Sequence, residues 1–196
     1  MNYHAAVQQS QRHYTIDDYF LAEESSPLRH EYFRGEVFVM AGGTPEHNTI
    51  ALNVAAAFHS ALTGSPCRAF GSDQRIATPS GLYTYPDVSI VCGPLQLTSD
   101  RLPSIVNPVV LVEVLSDSTC DYDRGEKFDL YASIPTLRDY LLIEPARVYL
   151  EYRYRRADGE WTSVVKESME DSFSVTSISM PLPLTRVYEN IALSRP

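Results

Sequence analysis

The chain has 196 residues, 44% hydrophobic and 21% charged, with 16 Lys+Arg against 25 Asp+Glu for a net charge of −9. That length suits one domain that buries a core without staples, and the composition excludes a disordered chain. No apolar run reaches bilayer-spanning length; the acidic balance argues against a surface that attracts nucleic acid everywhere, but leaves room for a local basic groove.

The opening "MNYHAAVQQSQRH" is polar and lacks the apolar core and small-residue ending of a signal peptide, so residues 1–13 read as a loose tail and 14–196 as the folded unit. A cytoplasmic protein without membrane association is expected. Cys67, Cys92 and Cys120 are odd in number and far apart, a spacing that fits neither a zinc site nor a disulfide framework. They are expected to be reduced and to act as small hydrophobic residues.

Thr15, with Asp18 three residues on, makes a capping box and predicts a short helix over 16–23. "RHEYFRGEVFVMAGG" gives two extended pieces around Gly35, a hairpin pattern. Thr44 as a cap and Pro45 at the first helical position start the next helix; Ile50, Val54, Phe58 and Ala61 form its apolar stripe, and Gly64 ends it. "CRAFG", "QRIATP" and "YPDVSIVCG" read as strands. Val109 to Leu115 is apolar on both faces, as in a central strand covered on both sides. "DRGEKFDLYASI" reads as a helix and "RDYLLIEP" as a strand, a crossover that is right-handed if its two strands are parallel. "RVYLEYRYRRADGEWTSVVKE" is a hairpin turning at Asp158-Gly159, and an irregular strand and short helix complete the chain. The class is α/β with a mixed sheet, in one domain.

Glu113 interrupts the Val/Leu run. Alternation puts Val109, Leu111, Glu113 and Leu115 on one strand face, so this carboxylate points into a layer. Unpaired there, it would cost several kcal/mol or take up a proton. It needs a positive neighbour, either a Lys or Arg (Lys127 and Arg75 are candidates) or a metal ion. Asp87 opens another strand after Pro86, and converges on Glu113 if the two strands pair. Two close carboxylates repel, and a divalent cation keeps both ionised. All-oxygen ligands suit Mg²⁺ or Mn²⁺ completed by waters. Lys127 shares a helix face with Leu130, Tyr131 and Ile134, a face that packs toward the sheet, so the lysine either snorkels outward or points at the acids. Glu36, after the hairpin glycine, is a further candidate acid. His47, third in its helix, reads as a capping or partly buried histidine, with alignment to the acidic end as the alternative. Arg153 and Arg155 share a face of the last hairpin; they read as exposed charges that discourage edge pairing or as a DNA patch.

Together "GEVFVMAGGTPEHNTI", "YPDVSIV", "LVEVLSDST" and "DRGEKFDLYASI" resemble the Uma2 family (DUF820), a branch of the PD-(D/E)xK nuclease-like superfamily abundant in cyanobacteria. The resemblance spans roughly Thr15 to Asn190, and its most specific part is Glu113-Val-Leu-Ser followed by Asp123, Lys127 and Tyr131. It implies a restriction-endonuclease-like core, a mixed sheet flanked by helices, with an added N-terminal hairpin and C-terminal hairpin. Asp87 matches the motif aspartate and Glu113 the second acid. The lysine usual two residues after that acid is replaced by Leu115, and Lys127 on the following helix is its match. Glu36, or less closely Glu31, corresponds to the N-terminal acid. The implied activity is hydrolysis of nucleic-acid phosphodiesters, DNA favoured. Asp87, Glu113 and the Val114 carbonyl would hold Mg²⁺ or Mn²⁺, with Lys127 orienting water and Glu36 assisting. Nucleases of this type often pair to address both strands, so a homodimer is expected. Two other readings stay open: a non-catalytic nucleic-acid- or protein-binding regulator on the same fold, and a hydrolase of another phosphate ester.

Overall fold

The computed structural model describes residues 13–40 and 42–193, so the expected tail, apart from His13, lies outside the described residues. Helix α1 (Ile16–Ser25) starts at Thr15, whose side chain accepts from the Asp18 N–H while Asp18 returns the bond, the reciprocal cap read from the sequence. A hairpin follows, β1 (His30–Phe33) and β2 (Glu36–Val39). Its two-residue turn puts Arg34 at φ 48 and Gly35 at φ 89, the left-handed geometry that matches strand twist. Helix α2 (Pro45–Ala61) is capped by Thr44. Strands β3 (Cys67–Gly71), β4 (Ile76–Ala77), β5 (Tyr83–Thr84), β6 (Val88–Cys92) and β7 (Val110–Val114) come next. Then follow α3 (Cys120–Arg124), α4 (Glu126–Ala132), β8 (Asp139–Ile143), β9 (Leu150–Arg155) and β10 (Trp161–Lys166). The chain finishes with β11 (Ser172–Val175), a 3-10 turn, β12 (Met180–Pro183) and α5 (Leu184–Val187).

The main sheet has six strands in the order β10-β9-β8-β7-β6-β3. Only β7–β8 is parallel, the pair joined by the α3–α4 crossover; the other ladders are antiparallel. Strand β7 is therefore central and buried on both faces. Val110, Val112 and Val114 pack in one layer with Ile50, Val54 and Phe58 of α2 and Leu184 and Val187 of α5. Leu111 and Leu115 pack in the other with Leu130, Tyr131 and Ile134. Each fully buried aliphatic side chain in these layers contributes roughly 1.5–3 kcal/mol. A second, four-stranded sheet, β2-β1-β5-β4, packs Tyr83 and Ala77 on Tyr19 and Phe20 of α1.

Four expectations need correction. Cys67 and Cys92 are directly opposed on antiparallel β3 and β6 and form a disulfide, so they are not reduced; Cys120 is free. The α2 stripe ends on buried Leu62 while Ala61 faces out, because the chain leaves the helix there. The helix expected to begin near Asp121 or Asp123 and run to Ile134 starts at Cys120 but is two pieces, broken at Gly125, whose N–H reaches both Asp121 and Tyr122 carbonyls. Arg75 does not pair Glu113; it binds Ser104, Tyr85 and the Leu102 carbonyl.

The disulfide closes a loop of sequence separation 25. Its reduction is expected to lower the unfolding free energy by about 3 kcal/mol. Urea denaturation with and without dithiothreitol measures this; a Cys67→Ala, Cys92→Ala protein should ignore the reductant.

Candidate active site

The carboxyl end of β7 is where the acids meet. Antiparallel pairing of Val88 with Val112 brings Asp87 opposite Glu113. Asp87 Oδ2 accepts from the Val114 N–H at 2.7 Å, which fixes this side chain across the strand ends. Glu113 is 5% exposed. Its Oε1 accepts from the Tyr131 hydroxyl at 2.7 Å and lies 2.9 Å from Lys127 Nζ. Lys127 is as buried as its partner and also lies 3.1 Å from Asp123 Oδ1 and 3.7 Å from Glu31 Oε2. Helix α4 presents Lys127 and Tyr131 one turn apart, so both reach the same carboxylate. The lysine is thus directed at the acids, and Leu115, two residues after Glu113, is part of the core.

The charges do not balance. Glu31, Glu113 and Asp123 share the ammonium of Lys127, and Asp87 stands beside them, 3.4 Å from His47 Nε2. Burial pushes the Glu113 carboxyl up to about 8; Lys127 pulls against this, and the charges of Asp123 and Asp87 add to it. Burial also raises Asp87, opposed by His47, the Val114 N–H and Lys127. Burial works against the Lys127 ammonium, yet the charges of Glu113, Tyr131, Glu31 and Asp123 outweigh it and hold the pKa well above the ordinary lysine value. Lys127 is thereby held in its charged form, while burial draws Glu113 toward its protonated form, a pull that a further cation would oppose.

The donor set suits a hard divalent ion. The contacts engage Oε1 of Glu113 and Oδ2 of Asp87, and the second oxygen of each makes no hydrogen bond to another described residue. Asp123 Oδ1 is buried without a directed hydrogen bond. Among the described residues no three His, Cys, Asp or Glu side chains are arranged as a ready-made metal cage. An ion would rest on two carboxylates, the Val114 carbonyl and waters, the sparse protein ligation Mg²⁺ accepts.

This cluster forms the floor of a cavity of about 750 Å³. Glu31, Phe33, Glu36 and Phe38 line it from the hairpin, Gly43 and His47 from the start of α2, and Ser116, Ser118 and Thr119 from the loop after β7. Glu36 is exposed at the rim, whereas Glu31 is buried, with Tyr122 donating to its Oε1 at 3.0 Å. Of the two hairpin acids, Glu31 is the one in contact with the lysine. His47 comes to the site, with Nε2 3.4 Å from Asp87 Oδ2. Asp123 joins the site as an acid beyond those expected, and its i,i+4 spacing to Lys127 is the signal in the sequence that marks it. Arg153 and Arg155 are not free for a ligand here: Arg153 binds Glu151 and the Arg124 carbonyl and lies over Phe128, while Arg155 binds the Ala132 carbonyl and lies over Trp161.

Comparison with known proteins gives the family and the fold. Residues 16–184 match the family model described as "Uma2: Putative restriction endonuclease". Two uncharacterized proteins of Synechocystis sp. are similar: slr1290 is 35% identical over 177 residues, covering 90% of this chain and 92% of its own, and sll1609 is 30% identical over 167 residues, covering 84% and 94%. A crystal structure from Anabaena variabilis, described as "a putative nuclease belonging to DUF820", superposes with a TM-score of 0.72 at 16% identity, over 89% of this chain and 97% of that one. The helix-flanked mixed sheet expected from the sequence is the fold observed, and the chain belongs to the Uma2 family.

Proposed function

We propose that the protein is a divalent-metal-dependent nuclease that hydrolyses phosphodiester bonds, with DNA as its substrate. The observation that carries this reading is the convergence of Asp87, Glu113 and Lys127 at the end of the central strand, on the floor of an open cavity. The family description and the description of the Anabaena variabilis relative support it.

Asp87, Glu113 and the Val114 carbonyl would hold Mg²⁺ or Mn²⁺, which supplies Lewis-acid charge to the phosphate and acidity to a water. The chain's own residues do the rest. Tyr131 and Lys127 both engage Oε1 of Glu113, fixing the carboxylate's orientation. Val114 N–H fixes Asp87. Lys127, held protonated, is a poor base; its part is to hydrogen-bond a water or phosphate oxygen and to offset negative charge as it builds in the transition state. Glu31 and Asp123 keep that ammonium in place. Glu36, at the rim, is suited to an auxiliary part on water or a second ion.

The expected result is cleavage of DNA that needs Mg²⁺ or Mn²⁺ and stops with a chelator, with Asp87→Asn lowering kcat by about 10²–10³. Gel-based cleavage with a metal titration by calorimetry on both proteins checks it. Cleavage undiminished in Asp87→Asn would refute the reading, and binding indifferent to chelator with no cleavage would favour the non-catalytic alternative.

A further inference from the structure

We propose that the site takes an unpaired strand: a single-stranded nucleic-acid segment enters the cavity with a base stacked on Phe38, and duplex is turned away. This rests on the nuclease reading and adds the form of the substrate.

Depth is the first argument. The groups that must meet the phosphate, Glu113 and Lys127, are each 5% exposed and lie beneath walls made by the hairpin, the start of α2 and the loop over Ser116–Thr119. A cavity of about 750 Å³ is of the size that encloses a small ligand. A phosphate of intact duplex is carried on a rod stiff over roughly 150 base pairs, with a major groove about 12 Å wide beside it. Its stiffness opposes the local bend needed to bring one phosphate down to side chains as buried as these. A single strand bends and enters.

Charge is the second argument. The cavity is lined by six carboxylates, Glu31, Glu36, Asp87, Glu113, Asp123 and Glu126, against two cations, Arg34 and Lys127. Lys127 is already surrounded by acids. Several other surface cations are tied up in ion pairs: Arg29 with Asp73, Arg101 with Glu24, Arg124 with Glu144, and Arg156 with Asp158. Duplex affinity comes chiefly from many Lys and Arg contacts to phosphates. No such platform surrounds the mouth among the described residues. Exposed Arg34, at the hairpin tip, is placed for one phosphate contact.

The third argument is the wall itself. Phe38 is 51% exposed, yet it stands on the hairpin face that turns to the cavity, directly opposite Glu31 in the register. Its ring is therefore one strand pair from the carboxylate that touches Lys127. Val39 and Met40 extend the apolar surface, while Val37 on the other face packs with Tyr19 and Phe20. An aromatic face beside a phosphate-directed floor is how unpaired bases are held, and the paired, stacked bases of a duplex cannot reach it.

The test uses a short labelled single strand and the same sequence as duplex, followed for binding by fluorescence polarisation with Mg²⁺ and with chelator, and for cleavage on gels. The single strand should be preferred by about tenfold or more in affinity and in kcat/KM. Phe38→Ala should remove most of that preference, and Phe38→Tyr, which keeps a ring, should retain it. Leu52→Ala, which trims an exposed apolar side chain on α2 outside the cavity lining, should leave it unchanged. Equal treatment of duplex and single strand would overturn the proposal, as would an undiminished preference in Phe38→Ala. A dimer that Phe38→Ala splits without altering strand preference would give this face to a second copy instead. Single-strand binding without cleavage of either substrate would sink the nuclease reading and leave strand recognition standing; neither binding nor cleavage would remove both.

Discussion

Lys127→Met is expected to cost about 3–5 kcal/mol of folding stability near pH 8, because the cost of breaking a buried ion pair is mainly that of the charge left without its partner. Here the partners are several. Glu113, Asp123 and Glu31 all lie within 3.7 Å of the one ammonium. Methionine fills similar volume and tolerates the surrounding core, so packing loss is small, and the deficit reports electrostatics. It should therefore shrink at pH 5, where buried carboxylates with raised pKa values take up protons, and shrink again on adding Mg²⁺ or Mn²⁺. Urea unfolding at the two pH values, with and without metal, reads all three effects. Lys127→Arg is not a conservative control, since a planar fork cannot occupy the point where one Nζ meets three carboxylates. Cleavage by Lys127→Met should fall by about 10²–10³ even where metal restores the fold. An unfolding midpoint equal to wild type at pH 8 would mean that the carboxylates hold protons already and that the lysine neutralises little.

Much of this site could be read before any coordinates. Glu113 stood out because a carboxylate inside a strand apolar on both faces demands a partner, and alternation told which layer it entered. Lys127 followed from helical spacing with Leu130, Tyr131 and Ile134, all of them buried with it. Asp87 required only that its strand pair with β7, which it does. Other parts depended on register and docking, which no local pattern encodes. Glu31 and Glu36 share the cavity side of the hairpin, so alternation cannot say which is deeper; the seating of the hairpin on the main sheet decides, and it buries Glu31. Cys67 and Cys92 are remote in sequence, and become partners only through the antiparallel register of two strands. Asp123 looked like a helix-start residue, and its part in the site emerges from the break at Gly125 and the i,i+4 contact that survives it.

Glu113→Gln should separate the fold from the function. In the metal-free protein the buried Glu113 carboxyl has its pKa raised from the ordinary 4.5 to about 8, so the folded state binds this proton more tightly than the unfolded chain. Its contribution to stability is fully present below about pH 4.5 and is lost as pH rises through about 8, so the unfolding midpoint of wild type should fall across that window. Glutamine mimics the protonated carboxyl in shape and neutrality and cannot ionise, so Glu113→Gln should lose this part of the slope and match or exceed wild-type stability near pH 8. On the metal-dependent reading proposed above, divalent ions compete for the same position. They bind the ionised carboxylate and expel its proton, so their affinity for wild type should climb with pH until about 8 and then level, with proton release visible as a buffer-dependent heat in calorimetry. Glu113→Gln removes the charge that draws the ion in: it should bind Mg²⁺ or Mn²⁺ far more weakly and cut nucleic acid at least about 10²-fold more slowly, at every pH, while melting as a well-folded protein. Wild-type metal affinity that stays flat from pH 5 to 8 would show that Glu113 is ionised throughout and that its carboxylate is satisfied by Lys127 and Tyr131 without a further cation.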